Sequence, residues 1–303
     1  MTAIEFKTGA NRMTVYPELG GTVGALVLAP TGRNTALPIL ACDREEELLE
    51  NPWFRGRILF PFCDRIPGAG YRFNGKEYRL PANQEDGSAI HGLIHNRPGE
   101  ILQQPDSRLK LRWCLGEDLG YPFPVELQLD YQLRDSGLSM DYRIANRGRA
   151  SAPVGFGWHP YFTLPGTPAD ELQLTIPCES FVEVEEDLTP TGRLLPVSEA
   201  AGRYDFRIPR PLGPGEYDIA FPAETGGAGL TASLASSRYR IDLRISGRFQ
   251  YFQLFTPPDR RSIALEPISN VTDAFNRSDM GMRILEPAET VAARLEVALS
   301  ALD

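Results

Sequence analysis

Histidine is scarce in this chain: His91, His95 and His159 are the only three in 303 residues. Proton transfer near neutral pH therefore has few candidate side chains, and each is weighed singly. Cysteine is nearly as sparse. Cys42, Cys63, Cys114 and Cys178 lie far apart, form no CxxC pair and have no adjacent histidine to act as a base. That excludes a disulfide scaffold and predicts reduced, partly buried thiols. No run approaches the roughly 18 uninterrupted apolar residues of a membrane span. The opening MTAIEFKTGANRM has an acid at Glu5 and no apolar stretch, so a signal peptide is not expected and the expected location is the cytoplasm. Positive charge is also short. A net charge of −9 argues against a nucleic-acid partner and for a soluble chain. No GxxxxGK[ST] loop, GxGxxG turn, GxSxG elbow or HExxH pair occurs, which removes support for nucleotide binding, a serine nucleophile or a zinc protease.

What is present is alternation with a period of two, the mark of half-buried strands. Apolar residues fall at Val125, Leu127, Leu129, Tyr131 and Leu133, then at Leu138, Met140, Tyr142 and Ile144. Arg134-Asp135-Ser136-Gly137 between the two runs predicts a hairpin turn. Leu109 to Leu115, Leu172 to Ile176 and Tyr239 to Ile245 alternate likewise, and the more continuous Phe249 to Phe255 reads as an interior strand. The 28 glycines and 26 prolines punctuate many short strands rather than long helices. Glu45 to Leu49 predicts one short helical turn. The C-terminal ETVAARLEVALSAL has helix-forming residues, yet Val291, Ala293, Leu295, Val297 and Leu299 alternate, which favours a final strand. With 42% apolar and 10% aromatic residues, no linker and no short repeat, the prediction is all-β. Residues 1–303 are expected to form one large antiparallel β-sandwich domain.

Three segments concentrate the chemistry. His91 precedes Gly92, and His95 follows in His95-Asn96-Arg97-Pro98. A metal site would need these two on one helical face with His159 as third ligand. Gly87, Gly92, Asn96 and Pro98 oppose a helix there, so no metal is expected. His91 then reads as a loop histidine facing a pocket or bonding a carbonyl, and His95 as a surface residue. His159 lies among rings in Phe156-Gly157-Trp158-His159-Pro160-Tyr161-Phe162, which suits either a sugar-stacking pocket or a packed core histidine. Glu266 interrupts the apolar Ile263-Ala264-Leu265-Glu266-Pro267-Ile268. A buried carboxylate there has a raised pKa suited to a general base, whereas a strand-edge one would pair with Arg260 or Arg261.

Taken together, Gly56-Arg57-Ile58-Leu59-Phe60-Pro61-Phe62-Cys63-Asp64-Arg65-Ile66, Tyr71-Arg72-Phe73-Asn74-Gly75-Lys76-Glu77-Tyr78 and Ala89-Ile90-His91-Gly92 resemble the N-terminal half of aldose 1-epimerases (galactose mutarotases). Gly157-Trp158-His159-Pro160-Tyr161-Phe162 is similar to the family's second histidine motif. Leu265-Glu266-Pro267-Ile268-Ser269-Asn270, leading to Asp273-Ala274-Phe275-Asn276, is similar to its glutamate motif. Order and spacing agree over nearly the whole chain. The resemblance implies a galactose mutarotase-like sandwich with an open cleft for a free aldose, working without cofactor as a monomer or homodimer. It implies Glu266 as general base at the anomeric hydroxyl, and His159 as general acid at the ring oxygen with His91 assisting. It also implies Arg65 and Asp218 as binders of sugar hydroxyls, with Gln253 as a further contact. Phe62, Trp158, Tyr161 and Phe221 are candidates to cover the apolar sugar face or to fill the core. Two positions depart from the family pattern: Asp64 stands where asparagine is usual, and Leu93 follows His91-Gly92 in place of glycine. Asp64 either binds a hydroxyl or pairs with Arg65, which leaves the sugar open. Two rival readings remain. One is an epimerase of a hexose 6-phosphate, which needs converging arginines, with Arg55, Arg57, Arg72 and Arg97 as candidates. The other is a non-catalytic sugar binder on the same fold.

Overall fold

Alternating burial along the chain is what folds it: among the described residues the strands pair antiparallel, and the one parallel contact is an isolated bridge between Phe60 and Gly92. A computed structural model describes residues 2–42, 45–223 and 229–302. Among these residues the helical segments are three-residue 3-10 turns, including Glu45–Glu47. Among the described residues no helix is long and apolar enough to cross a membrane.

The expected hairpin is the centre of a nine-stranded sheet. Val125–Arg134 and Gly137–Asn146 pair with Arg134 opposite Gly137, so the loop is Asp135-Ser136. Leu127, Leu129, Tyr131, Met140 and Ile144 point inward with no exposure. The C-terminal segment is the strand Thr290–Ala301, seated between Gly137–Asn146 and Tyr239–Gly247. Its period of two prevails over its helix-forming composition because the sheet offers that face an apolar partner. Arg108–Leu115 and a shorter Gln173–Thr175 complete the expected set.

A six-stranded sheet packs inside this one. It runs in the order Asp218–Pro222, Tyr251–Phe255, Ile263–Ile268, Gly157–Trp158 and Ile58–Leu59, with Tyr161–Phe162 also pairing on Ile263–Ile268. A four-stranded N-terminal sheet, Ile4–Thr8 to Leu37–Pro38, closes one end. Four free cysteines are described; Cys63 and Cys178 are buried, Cys42 is half-buried and Cys114 is exposed.

Arg57 holds the layers together. It is buried and donates to the carbonyls of Leu19, Leu48 and His95 and to Thr22 Oγ1. Sequence reading placed Arg57 among possible phosphate ligands at a cleft rim. Its donors face backbone acceptors instead, where burial makes each bond costly to lose.

Candidate active site

Strand parity decides which side chains meet. Residues directly opposite in an antiparallel pair share a face, and alternate residues change face. Gln253 opposes Glu266, Asp218 opposes Phe255, and Tyr161 opposes Ala264. Asp218, Gln253, Phe255, Glu266 and Tyr161 therefore project from the outer face of the six-stranded sheet. Ile219, Phe221, Phe252, Leu254 and Leu265 project into the main core. The parity corrects three aromatic candidates. Phe62, Trp158 and Phe221 are all buried core residues, and the Trp158 indole donates to the Gly56 carbonyl. Of the four proposed rings, Tyr161 alone lines the cleft.

The cleft holds a cavity of about 170 Å³. Clefts for drug-sized ligands run to roughly 300–1,000 Å³, so this one suits a single small ligand. All eight residues singled out from sequence line it: Asp64, Arg65, His91, His159, Tyr161, Asp218, Gln253 and Glu266. Sequence reading missed Trp53, Phe54 and Phe255, which add an aromatic wall. Trp53 stacks on Phe255, with centroids 6.2 Å apart. The available signal was Pro52-Trp53-Phe54 immediately before the Gly56 motif, two large rings in a segment with no strand pattern.

Glu266 and His159 form the floor. They are 3% and 5% exposed, and His159 Nε2 lies 3.4 Å from Glu266 Oε1. The strand-edge alternative fails: Ile263–Ile268 is flanked by strands on both sides, and Arg260 binds Asp170. Burial, then the charges of Asp64 and Asp218, hold the Glu266 carboxyl well above its usual range. Burial, with the Arg55 guanidinium adding to it, pushes His159 down to about 3. Both shifts run toward the neutral form of each group. His159 stacks parallel on Tyr161 at 5.0 Å, and the Tyr161 hydroxyl donates to the Trp53 carbonyl. These contacts fix the imidazole plane.

His91 approaches from the opposite loop, with φ at 60°. Its backbone N–H donates to the Asp64 carbonyl, and its Nδ1 accepts the Asp64 N–H at 3.1 Å. With Nδ1 an acceptor, the ring proton is assigned to Nε2. Burial foremost, then the neighbouring His159, keep His91 neutral by lowering its pKa well below the usual value. It is a hydrogen-bond donor rather than a cation. Gly92 makes this placement possible, because its φ is 83° and an added Cβ would lie 2.1 Å from the Phe60 carbonyl oxygen. Gly92→Ala is expected to lose about 3 kcal/mol of stability in urea unfolding, from left-handed backbone strain plus overpacking. His95 departs from its expected surface position. It is half-buried, with its ring 5.5 Å from Phe54, and burial pushes its pKa down to about 4.

Asp64 binds Arg65 through the backbone: its Oδ1 accepts the Arg65 N–H, and its Oδ2 accepts the Thr272 hydroxyl at 2.7 Å. The Arg65 guanidinium pairs with Asp86. Gln253 donates to Asp218 Oδ1 at 2.6 Å. Asp218 is open to the cleft yet ringed by protein; desolvation first, then Asp64, raise its pKa to about 7. A ligand that displaces water from the cleft would push it further in that direction. No group of histidine, cysteine and carboxylate side chains arranged to hold a metal occurs among the described residues.

The family model described as aldose 1-epimerase matches residues 2–298. The chain belongs to the aldose 1-epimerase family. That membership places it among isomerases of sugars and accounts for the two histidine motifs and the glutamate motif lying in register. Protein YihR of Escherichia coli K12, itself described as uncharacterized, is 31% identical over 244 residues, covering 76% of this chain and 74% of that one. Human galactose mutarotase is 30% identical over 206 residues, 64% of this chain and 57% of its own length. The chain thus matches little more than half of that relative. Among solved structures, a GalM/aldose epimerase homologue from C. elegans superposes with a TM-score of 0.86 at 18% identity, covering 100% of this chain and 99% of that one. Slr1438 from Synechocystis gives 0.76 at 25% identity, covering 99% and 96%. The fold is all-β, as the alternation pattern predicts, and galactose mutarotase-like, as the resemblance implies.

Proposed function

We propose that this aldose 1-epimerase family member interconverts the α and β anomers of a free aldose by opening and reclosing the sugar ring. The single observation that supports this most is the Glu266–His159 pair on the cleft floor, 3.4 Å apart and faced by the donor His91. Ring opening needs one group to take the C1 hydroxyl proton and another to give a proton to the ring oxygen. Glu266 takes the first, His159 delivers the second, and the C1–O5 bond breaks to leave an aldehyde. Rotation about C1–C2 and closure with the roles reversed gives the other anomer. No net proton is gained or lost.

The directions of the two shifts fit this cycle. Protonated Glu266 with neutral His159 carries the same number of protons as ionised Glu266 with imidazolium. The catalytic form is therefore reached by moving one proton within the pair, without exchange with solvent. His91, with Nδ1 occupied by the Asp64 N–H, offers Nε2–H to the ring oxygen as a hydrogen-bond donor. Asp218, Gln253 and Arg65 are placed to hold hydroxyls, and Tyr161, Trp53 and Phe255 to cover apolar C–H faces.

A phosphorylated substrate receives less support. Arg57 is buried on backbone carbonyls, Arg97 binds Asp118, Arg55 pairs with Asp259, and Arg72 lies exposed on the strand Gly70–Phe73, outside the cleft lining. Arg65 is the one arginine among the described residues that line the cleft, and it is paired with Asp86. A pure binder needs no buried, proton-sharing pair. In polarimetry of freshly dissolved α-D-glucose and α-D-galactose in weak buffer, the approach to equilibrium rotation is expected to accelerate in proportion to protein. Acceleration for hexose 6-phosphates alone would transfer the reading to the phosphorylated class, and binding without acceleration would make the chain a binder.

A further inference from the structure

The glutamate motif runs on past Glu266 through Ser269-Asn270 to Asp273, yet none of residues 269–273 lines the cleft. Their polar groups are engaged behind it. Asn270 is buried; its Oδ1 accepts the Cys63 N–H at 3.2 Å, and its Nδ2 donates to the Cys63 carbonyl at 3.1 Å. The buried Thr272 hydroxyl donates to Asp64 Oδ2 at 2.7 Å, and the Asp273 N–H donates to the Arg65 carbonyl at 2.7 Å. Three consecutive residues, Cys63 to Arg65, are thus gripped by the tail of the strand that carries Glu266.

What Asp64 holds in turn gives that grip its consequence. Asp64 and His91 both have left-handed backbone, with φ at 55° and 60°. They join through two bonds of 3.1 Å, the His91 N–H to the Asp64 carbonyl and the Asp64 N–H to His91 Nδ1. An N–H aimed at Nδ1 leaves that nitrogen no place for a proton of its own, so the ring proton sits on Nε2. The Asp64 side chain is fixed from both ends: Oδ1 accepts the Arg65 N–H and Oδ2 the Thr272 hydroxyl. A carboxylate meets two donors with two acceptor oxygens, whereas an asparagine amide has one. From this geometry we propose that Thr272 is a positioning residue: through Asp64 it locks His91 in the tautomer that presents Nε2–H to the ring oxygen. The effect on turnover rests on the anomer-interconverting reading; the tautomer lock is a property of the fold alone.

The test uses protein labelled with 15N in histidine, which gives ring signals from three residues, His91 being the one lost in His91→Gln. Two-bond 15N–1H correlations distinguish the tautomers. His91 is expected as a single Nε2–H tautomer in wild type and as an exchange average of both in Thr272→Val, which leaves Asp64 Oδ2 without its donor. Thr272→Ser restores a hydroxyl and is expected to restore the wild-type pattern. In anomer exchange on the free aldose turned over fastest, Thr272→Val is expected to lose about tenfold in kcat with KM within about twofold. Thr272→Ser is expected to recover most of that loss. A wild-type His91 protonated on Nδ1, or a Thr272→Val protein with the wild-type ring pattern, would overturn the lock. An altered tautomer with unchanged kcat, or a kcat loss that serine does not recover, would overturn the positioning role. Thr272→Ala replaces the valine variant if circular dichroism shows the latter unfolded. The expected ring patterns in a protein that accelerates no sugar would uphold the lock and count against the proposed function instead.

Discussion

Glu266→Gln is expected to lower kcat for anomer exchange by about 10³-fold while sugar binding stays close to wild type. Glutamine keeps the length and a hydrogen-bonding head group but cannot take the anomeric proton. The same variant carries a stability signature with a definite sign. The folded-state pKa of Glu266 lies above its unfolded value near 4.5. Its contribution is therefore fully present below that value and is lost as pH rises through the folded pKa. Glutamine does not titrate, so the stability of Glu266→Gln relative to wild type is expected to increase between pH 5 and pH 8 in urea unfolding. A variant that is slower yet comparatively more stable at alkaline pH marks a residue kept for chemistry. Full activity in Glu266→Gln would remove the base assignment.

His159→Gln is expected to cost about 10²–10³-fold in kcat, because the group that returns a proton to the ring oxygen is gone. The pH profile separates this from a packing effect. In wild type the acid limb of kcat/KM is expected to follow the depressed His159 pKa of about 3. Without His159, activity depends on ionised Glu266 alone and is expected to rise with pH through that residue's elevated pKa. The stability sign is opposite to that of Glu266. The folded pKa of His159 is depressed from 6.5, so its contribution is present above 6.5 and is lost as pH falls toward about 3. Wild type should lose stability relative to His159→Gln over that window. Unchanged kcat in His159→Gln would give the proton donor's role to His91.

Much of the fold was legible because most strands bury one face and expose the other. The Val125–Arg134 and Gly137–Asn146 pair and the terminal Thr290–Ala301 strand declare themselves by period alone. The six-stranded sheet is different. It is covered on both faces, so Tyr251, Phe252, Gln253 and Leu254 are all buried, and alternation does not say which face meets the cleft. That is why Phe221 and Trp158 were credible sugar platforms until strand register placed them in the core. The residues proposed for proton transfer were legible for another reason. A glutamate inside Ile263–Ile268 and a histidine inside a run of rings are costly to bury, so each needs a compensating role. The Trp53–Phe54 wall was not legible, since its position depends on left-handed backbone at Asn51, Phe54 and Gly56, set by contacts distant in sequence. His95 escaped for a similar reason: the ring that covers it is Phe54, 41 positions earlier in the chain.

The central claim is that one buried carboxylate–imidazole pair opens the ring of a free sugar. Two-dimensional exchange NMR on anomer-resolved free aldoses at pH 7, with wild type and Glu266→Gln side by side, tests it most directly. The account predicts α–β cross-peaks growing in proportion to wild-type protein for at least one free aldose, with the variant at the buffer rate. Sugar resonances broadened by binding, with exchange no faster than buffer for every free aldose, would contradict it.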